Sequence, residues 1–188
     1  MEADWEFQIG AESPVIDACW SGFVDLHMHP ERAENLPEAA EFPAMAHALV
    51  RLNAPGSPVW TSKCDFFPAL DTAEFDAIEM DGSPQDAAHA AACYIDLLPA
   101  SGAIRADFKQ AGEDCERTCA ALHGIALSCC RADLVIRRAV TDGLLVEFGV
   151  TAYISACGST SQNVRLVLAE ALSALADSVA AGVPRNWL

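Results

Sequence analysis

The spacing of apolar residues repeats every three to four positions in some segments of the chain and alternates in others. Helical spacing runs from Pro43 to a stop at residues 53–56, and again over 109–126, where Cys115, Cys119 and Leu122 form an apolar stripe. A third helix is predicted over 160–181 because five large apolar residues share one helical face there: Val164, Leu168, Leu172, Leu175 and Val179.

Segments rich in β-branched and aromatic residues, bounded by turn residues, predict the strands. A short edge strand is predicted over 5–10. Longer strands are predicted over 15–28, 58–68, 90–99, 129–140 and 144–157. Thr141-Asp142-Gly143 predicts a hairpin between the last two strands, because Asp-Gly accepts the positive φ angles of a tight turn.

The order of these elements predicts the fold. Residues 15–68 and 90–140 form a weak pseudo-repeat of two strand–helix–strand units, which gives the βαββαβ order of ferredoxin-like folds. We therefore expect an α+β, two-layer sandwich with helices on one face of a mostly antiparallel sheet, plus an extra strand and a C-terminal helix. Residues 1–188 are interpreted as a single domain, with an acidic surface excursion over 69–88.

Charge narrows the range of partners. The formal net charge is −16, and residues 1–100 hold 18 acids against 3 bases. Such a surface repels nucleic-acid phosphates and anionic lipid headgroups, so neither nucleic acid nor a membrane is an expected partner. The apolar runs are shorter than a membrane span and no signal peptide opens the chain, which favours a soluble cytoplasmic protein.

Asp25, His27 and His29 alternate within the sequence GFVDLHMHP, and in a strand they would share one face, with both imidazoles directed at one ion. VDLHMH resembles the first-strand signature of amidohydrolases and the related histidinol-phosphatase-like metal hydrolases. The resemblance covers about six residues. It implies a divalent metal such as zinc that activates a bound water, with Asp65, Asp96 or His89 as further ligands. The alternative is a solvated polar strand end, since a typical barrel of these families needs roughly 250 residues.

Eight cysteines are present, and we expect them to be reduced and mainly buried because the chain has enough apolar residues for a core. Cys115, Cys119 and His123 stand four residues apart on a predicted helix. Neighbours at this spacing share a face, so they could ligate a metal or form a thiol redox site. The alternative is that both thiols are core residues on the apolar stripe.

Four aspartates lie in or beside predicted strands, where aspartate is depleted. They are Asp25, Asp65, Asp96 and Asp133. Lys63 has the strand parity to share a face with Asp65, and Arg137 has the parity to share one with Asp133. Such a polar row could bind a cationic ligand or a divalent ion. The alternative is the wet face of a one-sided sheet with cross-strand ion pairs.

These patterns lead to three functional interpretations. We expect a non-enzymatic binding or assembly domain without a cofactor. It would be a homodimer that covers its open sheet face or an edge strand, or a domain that binds a basic protein or a cationic small ligand. The second interpretation is a small metal-dependent hydrolase at Asp25, His27 and His29. The third is a thiol-dependent metal or redox protein at Cys115, Cys119 and His123.

Overall fold

The computed structural model describes residues 1–72, 76–100, 108–141 and 144–181, with the backbone alone at 141 and 144–147. Within these ranges the strands are β1 (Glu2–Gln8), β2 (Ile16–Asp17), β3 (Val59–Phe67), β4 (His89–Pro99), β5 (Cys130–Thr141) and β6 (Leu144–Gly158). The α-helices are α1 (Pro37–Glu41), α2 (Pro43–Leu52), α3 (Phe108–His123) and α4 (Ser161–Ala181). Short 3-10 turns lie at Pro30–Asn35, Ile78–Met80 and Pro84–Asp86.

The strands form one mixed sheet in the order β1-β5-β6-β4-β3, and β2 also pairs with β5. Strands β3, β4, β6 and β5 pair antiparallel in that order, whereas β1 and β2 run parallel to β5. The predicted α+β class, with several helices packed on one sheet, is confirmed. The ferredoxin-like order is not confirmed. The predicted hairpin turn falls on residues 142 and 143, outside the described residues.

The predicted strand over 15–28 is wrong except for Ile16–Asp17, and the reason is turn chemistry. The Asp17 carboxylate accepts the Cys19 N–H at 3.1 Å, and the Asp25 carboxylate accepts the Met28 N–H at 3.0 Å. Aspartate side chains that bond to nearby amides in this way stabilise turns. They outweigh the β-propensity of the apolar residues between them.

The core lies between one face of the sheet and helices α2, α3 and α4. In β4, Cys93, Ile95 and Leu97 alternate towards this core, as the period of two requires. The predicted apolar face of α4 is buried with them, including Val164, which is 1% exposed. No helix of the described part of the chain is long and apolar enough to cross a membrane.

The opposite face of the sheet, which we call the open face, carries no helix in the described residues. Its two ends are covered by small apolar clusters. The Ile16 cluster contains Ile16, Ala18, Leu98, Ala139 and the partly buried Trp60. The Met80 cluster contains Ala77, Met80, Ala90, Cys157 and the partly buried Leu70, Ala87 and Cys129. Polar side chains lie in the middle of the open face. The predicted acidic excursion over 69–88 contributes apolar side chains to the Met80 cluster at one end of that face.

At each edge of the sheet, an aspartate side chain covers one backbone amide. At β1, the Trp5 N–H donates to the Asp4 carboxylate at 2.8 Å. At β3, the Phe66 N–H donates to the Asp65 carboxylate at 2.8 Å. Satisfied edge amides are poor templates for strand addition.

Candidate binding surface on the open sheet face

The strand register brings polar residues from three strands together at the centre of the open face. Asp96 on β4 lies opposite Thr151 on β6, and Tyr94 lies opposite Tyr153. On the other side of β6, Thr151 lies opposite Val135 of β5, two residues from Arg137. Residues directly opposite in a sheet project from the same face, so these side chains meet.

Hydrogen bonds join these side chains into one network. The Arg137 Nη1 donates to Thr151 Oγ1 at 3.1 Å and to the Tyr153 hydroxyl at 3.0 Å, and its Nη2 donates to Gln8 Oε1 at 2.9 Å. The Thr151 hydroxyl donates in turn to Asp96 Oδ1 at 2.6 Å. The buried Arg137 Nε has no acceptor among the described residues. We call these five residues the Asp96 network.

Asp96 is the most unusual member because it is a carboxyl that is 8% exposed in the middle of a sheet. Burial raises its pKa, and the Thr151 hydrogen bond and the charges of Arg137 and Lys63 lower it less strongly. Within the described residues, no cation lies within 4.0 Å of its carboxylate. Among the described residues, the carboxyl therefore has the Thr151 hydroxyl as its hydrogen-bond donor and no ion-pair partner.

A row of aromatic rings crosses the same region. The centroids of Phe67 and Tyr94 are 6.2 Å apart, and those of Tyr94 and Tyr153 are 5.7 Å apart. The Arg137 guanidinium lies 5.5 Å from the Tyr153 centroid. Phe67, at the β3 end of this aromatic row, is 37% exposed. Stacked rings with an accessible end can accept a further cation or apolar stem.

Carboxylates outnumber cations on the open face. Among the side chains that the structure describes, strand parity places six carboxylates there: Glu2, Asp4, Glu6, Asp65, Asp96 and Asp133. It places three cations there: Lys63, Arg131 and Arg137. Arg131 is occupied by Asp133 at 2.7 Å and lies 3.9 Å from Asp4.

Strand parity places five members of the predicted polar row on the open face: Lys63, Asp65, Asp96, Asp133 and Arg137. Their local partners differ. Asp65 blocks the β3 edge, and Asp133 pairs with Arg131. Asp25 lies in a turn outside the sheet. Asp96 and Arg137 are the two that share a network, through Thr151. Binding of a ligand by this row stays a prediction.

The residues predicted to form a hydrolase site do not lie on a strand. Asp25, His27 and His29 are in turns, and both histidines are exposed. The His29 Nδ1 lies 3.3 Å from the Glu31 carboxylate. No group of three or more His, Cys, Asp or Glu residues within the described ranges is arranged to hold a metal ion. The alternation that carried the resemblance to metal hydrolases therefore has no strand to support it.

The predicted thiol site lies on α3, and its thiols face the core. Cys115 and Cys119 are buried, and burial raises the pKa of Cys115 to about 12 and that of Cys119 to about 11. The exposed His123 accepts the Ala3 N–H on its Nε2 at 3.3 Å, which covers part of the β1 edge. Metal ligation and redox chemistry need thiolates that an outside ion or reagent can reach, and both of these thiols are buried in the main core.

Sequence reasoning missed four residues of the open face: Gln8, Tyr94, Thr151 and Tyr153. The alternation of Thr151 and Tyr153 in a predicted strand was a usable signal, because both would share a face. No sequence signal marks Gln8, since its contact with Arg137 spans 129 positions. Comparison with protein families, curated proteins and solved structures finds no match for this chain.

Proposed function

We propose that this protein is a non-enzymatic binding domain whose open face holds a basic segment of a partner protein. The observation that carries the proposal is the Asp96 network. It places a buried carboxyl and a guanidinium at the centre of a face that is remote from the helical core. Burial of charged groups costs stability unless they are well paired. We therefore infer that these two groups have a role in binding as well as in the fold.

The network supports binding because its side chains are held in place before a partner arrives. Thr151 both accepts from Arg137 and donates to Asp96, which fixes the geometry of all three groups. A preorganised surface loses little side-chain entropy on association.

Charge and ring chemistry support a basic partner. Six carboxylates against three cations give the described part of the open face an excess of negative charge, in a molecule of net charge −16. The aromatic row lies beside Asp65 and Asp96, and its far end already faces a guanidinium, that of Arg137. Rings next to carboxylates attract arginine and lysine side chains.

The shape of the surface supports a protein segment over a small ligand. The aromatic row crosses three neighbouring strands, which spans about 10 Å at the usual strand spacing. A shallow cleft of about 230 Å³ extends the surface towards β1, and its charged lining is Asp4, Glu6, Asp133 and Arg131. Small-molecule sites are deeper and enclose most of their ligand. An extended segment could place one basic side chain at the aromatic row and another at this cleft.

Fluorescence anisotropy with short labelled peptides tests this proposal. We expect arginine- and lysine-rich peptides to bind, and an acidic peptide of equal length not to bind. Asp65→Asn should weaken binding about two- to fivefold, since an exposed ionic contact contributes roughly 0.5–1 kcal/mol. The amide oxygen of the substituted side chain can still accept the Phe66 N–H, so the sheet edge stays covered.

Glu116→Gln is the matched control because Glu116 is exposed on α3 and the substitution changes the net charge equally. Equal weakening by both variants would show a general charge effect and contradict a specific surface. Phe67→Leu provides an uncharged second test at the exposed end of the aromatic row. Concentration-dependent dimerisation that Phe67→Leu abolishes, without peptide binding, would favour a homodimer across this face.

A further inference from the structure

Cys129 and Cys157 are neighbours at one end of the open face, inside the Met80 cluster. The Cys157 N–H donates to the Cys129 carbonyl at 2.9 Å, directly beyond the pair of Cys130 and Ala156 in the β5–β6 register. Both side chains belong to the Met80 cluster, and each thiol lies close enough to shift the pKa of the other. The pair is independent of the Asp96 network and of any partner that the open face binds.

The backbone holds the Cys129 thiol in a fixed position. Cys129 has a φ of +61°, a conformation that residues with a β-carbon seldom adopt. Its N–H donates to the Met80 carbonyl at 2.7 Å, and a β-carbon at Gly82 would lie only 2.9 Å from the Cys129 sulfur. A strained, closely packed non-glycine residue is a reason to look for a role of its side chain.

The two thiols differ in access. Cys157 is fully buried, whereas Cys129 is partly exposed. Burial raises the pKa of Cys157 to about 11. Burial and the negative charge of Asp86 also raise the pKa of Cys129, and Ser128 and Cys157 oppose that shift. An external reagent therefore reaches Cys129 first, and Cys157 lies behind it.

We propose that Cys129 and Cys157 close a reversible intrachain disulfide when the folded protein meets a low-molecular-weight disulfide such as oxidised glutathione. The Cys129 thiolate attacks one sulfur of the reagent, releases one glutathione thiol and holds the other half as a mixed disulfide. The Cys157 thiolate then attacks the Cys129 sulfur and releases the second glutathione thiol. The protein loses two electrons and two protons, and the reagent is reduced to two thiols.

Cys129 directly precedes β5, and its carbonyl continues the hydrogen-bonded ladder of β5 and β6 to Cys157. Cross-strand neighbours have α-carbons roughly 4.5–5.5 Å apart, which lies within the range that disulfides span. Cys64 and Cys93 are diagonal on β3 and β4, because their direct partners are Ile95 and Phe66. Diagonal neighbours are about 7–8 Å apart, too far for an unstrained bond.

Intact-mass and peptide mass spectrometry of the folded protein with excess oxidised glutathione tests the proposal. All samples carry Cys19→Ser, because Cys19 is exposed and would take up glutathione itself. We expect the parent protein to lose two hydrogen masses and to yield one linked peptide pair containing residues 129 and 157. Closure should be faster at mildly alkaline pH, because burial keeps both thiols protonated near neutrality.

The variants separate the two steps. Cys157→Ser should stop at the glutathione adduct on Cys129, and Cys129→Ser should leave Cys157 unmodified. Cys157→Ala serves in place of Cys157→Ser if circular dichroism shows that a buried hydroxyl unfolds the protein. Cys64→Ser is the matched control and should form the same linked peptide as the parent. A parent protein that stays reduced, stops at the adduct, or links other cysteines would overturn the proposal.

Discussion

The aspartates in the strands differ in their local hydrogen-bond and ion-pair partners. For most of them, a partner supplies a structural reason for the residue. Asp4 and Asp65 each accept the amide of the following residue at a sheet edge, and Asp133 pairs with Arg131. Aspartate is disfavoured in strands, but these contacts supply a local reason for it. Asp96 has a hydroxyl as its hydrogen-bond donor and no adjacent cation in the described part of the chain.

The pH dependence of stability should identify the effect of Asp96. Its folded-state pKa is raised above the unfolded value, so the folded protein binds this proton more tightly. The resulting stabilisation is fully present below the unfolded pKa of about 3.9 and is lost as the pH rises through the folded pKa. Asp96→Asn cannot ionise but can still accept the Thr151 hydroxyl, so it should gain stability relative to wild type as the pH rises towards neutrality.

Urea unfolding at a series of pH values from about 4 to about 8 measures this difference. Glu116→Gln, on the exposed side of α3, controls for the loss of one negative charge. A stability difference between wild type and Asp96→Asn that does not change with pH would mean that the Asp96 carboxyl is not destabilised in its charged form.

Among the elements, α4 was predictable from sequence because its apolar residues recur at helical spacing over about four turns, and the structure confirms it as Ser161–Ala181. The segment over 15–28 was not predictable in this way. It has strand-like composition, but Asp17 and Asp25 bond to local amides. The Asp96 network could be predicted only in part. Strand parity predicts which face of its strand a residue occupies, but the sequence does not show which strands are neighbours.

The two faces of α4 should respond differently to the same substitution. Leu168 is fully buried, and Leu166 is 58% exposed two residues earlier. Leu168→Ala should lower the free energy of unfolding by about 2–5 kcal/mol, because it removes buried apolar surface and leaves a cavity. Leu166→Ala, the matched control in the same helix, should change it by less than about 0.5 kcal/mol. Urea unfolding compares them, and similar losses would contradict the assigned core face.

The edge strands β1 and β3 should become association-prone when their amides are uncovered. Asp4→Ala/Asp65→Ala removes the acceptors of the Trp5 and Phe66 amides, and exposed edge amides pair with other chains. We expect faster growth of light scattering at high protein concentration. Glu12→Ala/Glu116→Ala removes the same charge from exposed positions, and should not accelerate it. Asparagine at both edge positions should restore wild-type behaviour, and equal scattering of all variants would show that charge alone keeps the chains apart.

At the scale of the whole molecule, the two faces of the sheet carry different side chains. The helical face buries the main core, whereas the apolar clusters of the open face, among the described residues, lie at its two ends around Ile16 and Met80. The region between them holds the Asp96 network and the aromatic row, and this is where we propose that a partner binds. The excess of acidic residues also acts on the whole molecule, because electrostatic self-repulsion depends on all charges and not on any one pair.

Salt should therefore stabilise the folded protein near neutral pH. With 27 acids and 11 bases, compaction brings like charges together, and added salt screens that repulsion. Raising sodium chloride from about 0.01 M to about 0.15 M shortens the screening length from roughly 30 Å to roughly 8 Å, so the thermal midpoint should rise by a few degrees. The same titration at the sequence pI of about 4.4 is the control, and it should give little rise because the net charge is near zero. A midpoint that falls with salt near neutrality would show that attractive pairs such as Arg131–Asp133 outweigh the repulsion.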